Sequence, residues 1–236
     1  MANRTAPRAF VRNAFFVAAL GVLAFTLAAF GAKAVLHPER LARYAVPGVG
    51  LHAVVMVAWL ALVAAQAFLI GTGRPHAHRI TGMLSVALAV MVVWTGWQVV
   101  VGVTAEFERY EILIFNTGTL IGFVFLYGAA LALARAGRIE SHKRLMLLAT
   151  IVVTVPAFER ATEVLSLPRI TGLLGYLLAI VAVPLLIDAR TRGRPHPASL
   201  FGIAVVFAQV ALSIAALGAP PVRAWAVAVT AGRSAP

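Results

Sequence analysis

The chain has 236 residues, of which 61% are apolar and only 12% charged. A soluble domain carries roughly 45–50% apolar and about 25% charged residues, so this composition excludes a soluble enzyme, a disordered tail and a coiled coil. Twenty Lys and Arg against eight Asp and Glu give a net charge of +12. Because the basic residues fall between apolar runs, they point to an anionic lipid surface and not to nucleic acid. Cysteine is absent, which removes disulfides, Fe–S clusters and thiolate metal sites and leaves imidazole and carboxylate as the strong ligands.

A bilayer core takes about 20 apolar residues of helix to cross. Seven stretches approach that length, near Ala14–Val35, Val49–Thr72, Ile80–Thr104, Ile112–Ala134, Arg144–Leu165, Ile170–Ile187 and Ala198–Gly218. They predict an all-α, polytopic membrane bundle with seven transmembrane helices. A basic segment over 1–13 precedes the transmembrane domain of 14–218, and a tail of 219–236 follows it. The first stretch has a basic start and an Ala32-Lys33-Ala34 small-x-small site. Its apolar run exceeds the roughly 7–15 residues of a signal h-region, so it is read as a retained helix.

Orientation follows from Lys and Arg in alternate loops. One side collects Arg4, Arg8, Arg12, Arg74, Arg79, Arg135, Arg138, Lys143, Arg144, Arg190, Arg192 and Arg194. The other holds Lys33, Arg40, Arg43, Arg109, Arg169, Arg223 and Arg233, while Arg160 falls within a span. The bias predicts a cytoplasmic N-terminus and an outer C-terminus in a cell membrane, with anionic lipid at the cytoplasmic face.

Six histidines punctuate this frame. His78, His142 and His196 open the third, fifth and seventh spans on the cytoplasmic side, whereas His52 lies about one turn inside the outer end of the second. Imidazoles from neighbouring helices are a cradle for haem b. Histidines in strings such as His78-Arg79 and His142-Lys143-Arg144 also suit interfacial anchoring, so both readings stand. His52 has no basic neighbour, and an ionisable group inside a span is a functional candidate. Gly73-Arg74-Pro75-His76 recurs as Gly193-Arg194-Pro195-His196 ahead of another helix on the same side. The proline there suits a helix start, where its missing N–H costs nothing.

The fifth span carries Pro156, Glu159, Arg160 and Glu163. Each such charge costs at least ~2.5–3.5 kcal/mol at the bilayer centre, so three in five residues require protein neighbours. Glu159 and Glu163 share a face, and Arg160 reaches Glu163 at a spacing of three. Pro156 frees the carbonyl of Val152 and loosens the helix there. With His52, Gln98 and Asn116 at comparable outer depth, these charges outline an outer polar pocket, in which Glu159, Glu163 and His52 are the candidate catalytic groups. A closed ion-pair network is the competing reading. Gln66 and Gln209 are expected to form inter-helix hydrogen bonds. Gly118-x3-Gly122 and Gly172-x2-Gly175 are expected to permit close helix approach. Pro184 is expected to kink or end the sixth helix. A phosphate-binding glycine loop, a Gly-x-Ser-x-Gly elbow, HExxH and His-rich boxes do not occur.

His78-Arg79-x2-Gly82 and His142-Lys143-Arg144-Leu145-Met146, with His52, Trp59, Gln66 and His196-Pro197, resemble uncharacterised bacterial multi-pass membrane proteins with HR-x-x-G and H-[KR]-x-x-M motifs. Those families are loosely similar in layout to cytochrome b561 and ferric-reductase-type membrane proteins. The resemblance covers roughly residues 49–202. The b561 layout implies two haems on bis-histidine pairs, but this chain offers only His37 and His52 on its outer side. One haem b near the cytoplasmic face, on His78 and His142 with His196 close by, is as far as the residues go. Haem-b or quinone-linked electron transfer is therefore one expectation. An accessory subunit docking other membrane subunits is a second, and a small transporter or enzyme using the outer pocket is a third.

Overall fold

A computed structural model describes residues 6–39, 42 and 46–231, with side chains from Asn13 onward and without that of Pro47. Arg4, Arg40, Arg43 and Arg233, and the side chains of Arg8 and Arg12, lie outside the described residues. Among the described residues all regular structure is helical. The elements are α1 (Ala6–Leu36), α2 (Pro47–Gly71), α3 (Pro75–Gly82), α4 (Leu84–Phe107), α5 (Tyr110–Arg135), α6 (Ile139–Val152), α7 (Val155–Val164), α8 (Arg169–Arg192), α9 (Pro197–Leu217) and α10 (Pro220–Thr230).

Six helical stretches among the described residues are long and apolar enough to cross a bilayer, with α3 and α4 counted together as Pro75–Phe107. The bent pair α6–α7 is the seventh candidate. The chain is an integral membrane protein by composition and by architecture. Its helices carry exposed Val, Leu, Ile and Phe along their outer faces, where water would penalise them and acyl chains would not.

The fifth span breaks where Pro156 predicts it. α6 ends at Val152, α7 begins at Val155 with Pro156 in its first turn, and the two axes differ by 46°. Thr154 repairs part of the break, since its hydroxyl donates to the Ile151 carbonyl at 2.6 Å. The pair still runs the length of α8. Arg144 of α6 meets Asp188 near one end of α8, while Thr162 and Phe158 of α7 lie against Gly172 near the other. Sixteen residues of α8 separate those contacts, about 24 Å at 1.5 Å per residue, which is close to a hydrocarbon core. Pro184, by contrast, stays inside α8, which continues to Arg192.

The core forms around the fully buried Trp59 of α2, whose ring meets Phe123 and Tyr127 of α5 edge-on at 5.1 and 5.5 Å. Tyr127 and Ser85 of α4 share a hydrogen bond of 2.8 Å. A second contact set joins Phe25, Phe158 and Tyr176, and so joins α1, α7 and α8. Small residues admit the close packing expected at Gly118 and Gly122. A Cβ on Gly118 would collide with Ser213 of α9, and one on Gly122 would touch Gln209. The tail is more ordered than its composition suggests: α10 buries Ala226 and sets Trp225 beside Trp97, over the ends of α4 and α5.

The turns at one end of the bundle share a design. Gly73, Gly137 and Gly193 follow α2, α5 and α8 with φ of 74°, 72° and 71°, a left-handed cap that suits glycine. Each is followed by arginine: Arg74, Arg138 and Arg194. The Arg74 and Arg138 amides then donate back to the Leu69 and Leu133 carbonyls at 2.8 Å, closing Schellman caps. The Gly-Arg echo seen twice in the sequence is thus a threefold feature of this basic end.

Candidate functional site

The basic end gathers His78, His142 and His196, each placed by one of those turns. Hydrogen bonding separates them chemically. The His78 Nδ1 lies 3.3 Å from the Gln66 carbonyl and the His142 Nδ1 lies 2.9 Å from the Ala130 carbonyl. A carbonyl only accepts, so both Nδ1 atoms carry a proton, and in the neutral ring each Nε2 keeps a bare lone pair. His196 is the reverse. It caps α9, and its Nδ1 accepts from the Ala198 amide at 3.0 Å, which leaves the proton on Nε2.

His78 and His142 lie within electrostatic range of one another, and both are half-buried. The turn of α3 that carries His78 is docked on α2 by Gln66, whose Nε2 donates to Thr81 at 2.6 Å. The Oε1 of the same Gln66 is buried and has no hydrogen-bond partner among the described residues. An unpaired acceptor of this kind is costly, about 1–3 kcal/mol, and it faces Gly82 at the end of α3.

Beside the histidines lies a pair that the sequence reading misses. Arg144 and Asp188 are fully buried, with side chains 1% and 0% exposed. The arginine donates to Asp188 Oδ1 from Nε at 2.8 Å and from Nη2 at 2.6 Å. Its Nη1 is held by the Glu140 carbonyl at 2.6 Å and the Glu140 carboxylate at 2.7 Å. The second oxygen of Asp188 accepts the His196 amide at 2.8 Å, so one carboxylate ties α6, α8 and the entry to α9. His196 lies just outside the membrane-spanning part of α9. Partial burial lowers its pKa below 6.5, and the Arg144 and Arg192 guanidiniums lower it further.

At the opposite end the predicted polar residues fall into separate groups. Glu163 of α7 meets Lys33 of α1 at 3.1 Å and Arg160 at 3.7 Å, and Arg160 also lies over the Phe30 ring. Lys33 is buried, 8% exposed, so this pairing answers the charge requirement for Arg160 and Glu163 but not for Glu159. Glu159 is exposed and makes no ion pair among the described residues. His52 belongs elsewhere: its Nδ1 contacts the Thr95 hydroxyl of α4 at 3.0 Å. Since that hydroxyl donates to the Met91 carbonyl, His52 donates through Nδ1. Asn116 turns back on its own helix, donating to the Ile112 carbonyl, and Gln98 lies on α4. The α7 charges therefore join α1, the His52 pair joins α2 to α4, and the two groups do not share one set of partners. Gln66 makes the inter-helix bond expected of it, whereas Gln209 bonds Ser213 on its own helix at 3.3 Å.

Among the described residues no group of three or more His, Asp or Glu is arranged to hold a metal ion. Two imidazoles with bare Nε2 atoms are a different donor set, suited to a metal that brings its own equatorial ligands. No known family, curated protein or solved structure matches this chain.

Proposed function

We propose that this membrane protein binds one haem b between His78 and His142 and serves electron transfer at its basic, cytoplasmic end. The observation that carries the reading is the matched tautomer of the two imidazoles. Each has Nδ1 fixed by a backbone carbonyl at the end of the preceding long helix, which orients the ring and raises the basicity of Nε2. The residues around them fit the group. Trp59, Phe123 and Tyr127 make the bundle apolar below that level. Arg79 and Arg135 are exposed and make no ion pair among the described residues, so they can meet the two carboxylates of the macrocycle.

The group, when bound, supplies one-electron chemistry. The chain's own part is to hold Nε2 in place, to keep water from the inner face, and to balance negative charge with arginine. The same arginines, facing the anionic leaflet, orient the protein in the cell membrane.

The test is the absorption spectrum of protein purified after expression with supplied haem. A Soret band is expected, lost in His78→Ala and in His142→Ala and kept in His52→Ala and His196→Asn. A colourless preparation would overturn the reading. If that preparation also retained a second membrane protein in mild detergent, an accessory-subunit role would replace it.

A further inference from the structure

A cleft of about 510 Å³ opens at the basic end, lined by Arg138, Ser141, Arg192, Arg194 and His196, with Pro195 and Pro197 on its rim. Its three arginines come from three places: the N-cap of α6, the last turn of α8, and the link between α8 and α9. All three are exposed, and none makes an ion pair among the described residues. The nearby carboxylates are already engaged. Asp188 is held by Arg144 and by the His196 amide, and Glu140 by Arg144 and Lys143. The cleft therefore carries an excess of three positive charges with no protein acid left to neutralise it.

The frame around that charge is rigid. Gly193 turns the chain by its left-handed φ, Pro195 and Pro197 fix the next residues, and the Asp188 bond to the His196 amide pins the link to α8. Ser141 adds a hydroxyl, and the His196 tautomer leaves an Nε2–H donor. The helices α6 and α9 both begin here, so their positive dipole ends reinforce the arginines. Guanidinium forks, a hydroxyl and helix N-termini are the donor set that recognises a phosphate group. We propose that this cleft is a binding site for one phosphate-bearing anion, at the level of the lipid headgroups. A lipid phosphate and a free phosphate share that chemistry. This inference is independent of the haem reading, because it uses neither His78 nor His142.

The full-length protein is assayed in nanodiscs of phosphatidylcholine doped with phosphatidylglycerol, and separately in phosphatidylcholine alone with inorganic phosphate. The variants are Arg192→Gln/Arg194→Gln and a control of equal charge loss at the same end but outside the cleft, Arg74→Gln/Arg190→Gln, both checked for monodispersity. Loss of the paired guanidiniums should weaken retention of the anion by at least about tenfold, as expected for charge-assisted hydrogen bonds, while the control changes it by less than about twofold. Arg192→Lys/Arg194→Lys, which keeps the charge without the fork, should fall between them and covers the case in which the glutamine variant fails to fold. Retained phosphatidylglycerol that inorganic phosphate does not displace assigns a lipid headgroup. Saturable inorganic phosphate binding in the neutral nanodisc assigns a soluble anion. Equal losses in cleft and control variants, or no binding of either probe, would overturn the site and leave only diffuse surface charge.

Discussion

Removing Asp188 tests how the basic end is held together. Asp188→Ala deletes two guanidinium bonds, of 2.8 and 2.6 Å, and the 2.8 Å bond from the His196 amide. Breaking a buried pair costs about 3–5 kcal/mol, mostly because the survivor stays buried and uncompensated. Here Arg144 keeps Glu140 through Nη1, so the lower part of that range, about 3 kcal/mol, is expected. Arg144→Met should cost more, about 4–5 kcal/mol, because it leaves Asp188 at 0% exposure with no cation to compensate its charge. For a chain of this size 1 kcal/mol corresponds to roughly 2–4 °C of Tm, which predicts drops of about 10 °C and 14 °C. The double variant Arg144→Met/Asp188→Leu should recover most of the loss, since an apolar pair of similar volume replaces the ions. Thermal unfolding followed by tryptophan fluorescence in detergent reads all three. Equal stability of Asp188→Ala and the unmodified chain would refute the reasoning, and so would a double variant no better than the worse single one.

Three further outcomes follow from the same geometry. Glu163→Gln strands the buried Lys33 and should cost about 1–2 kcal/mol, reduced from a full buried pair because Glu163 is a third exposed, whereas Glu159→Gln should shift Tm by less than about 1 °C. Gly172→Ala should lower stability by about 1–3 kcal/mol, since the new Cβ meets Thr162 Oγ1 at 2.9 Å and the Phe158 carbonyl at 3.3 Å; an unchanged melting curve would show that α7 is not seated on α8 as described. His196 gives a pH dependence of defined sign. Its folded pKa is lowered from 6.5, so the unfolded chain binds the proton first, and stability falls as pH drops through and below 6.5. His196→Asn keeps a cap acceptor for the Ala198 amide and should flatten that part of the Tm–pH profile; a profile identical to that of the unmodified chain would contradict it.

The spans were legible because lipid imposes them: with no water to satisfy a backbone, each crossing is a long apolar helix. The break at Pro156 and the need for a partner near Glu163 were legible for the same reason. The identity of the partner was not, since Lys33 lies 130 residues away and looks like an ordinary loop cation. Arg144 was similarly disguised by the string His142-Lys143-Arg144, which suits a headgroup anchor. Its acid, Asp188, hides between apolar residues and the arginines that end α8. A single long-range pair leaves no period in a sequence, so only the fold reveals it. The grouping of His52 with Thr95, apart from the α7 charges, is also tertiary: it depends on α1 packing against both α2 and α7. The three glycine turns, in contrast, had a readable signal, because Gly137-Arg138 repeats the Gly-Arg pair of Gly73-Arg74 and Gly193-Arg194 without the Pro-His that follows those two.

The account rests on α6 and α7 together crossing the membrane, because that crossing puts the turns after α2, α5 and α8 on one face. The lack of cysteine makes sidedness directly measurable with single-cysteine variants and a membrane-impermeant maleimide on intact cells. Glu106→Cys, Leu167→Cys and Arg223→Cys should label from outside, while Arg74→Cys, Ala136→Cys and Arg190→Cys should label only after permeabilisation. Labelling of Leu167→Cys on the same side as Ala136→Cys would make the bent pair re-entrant and contradict the account.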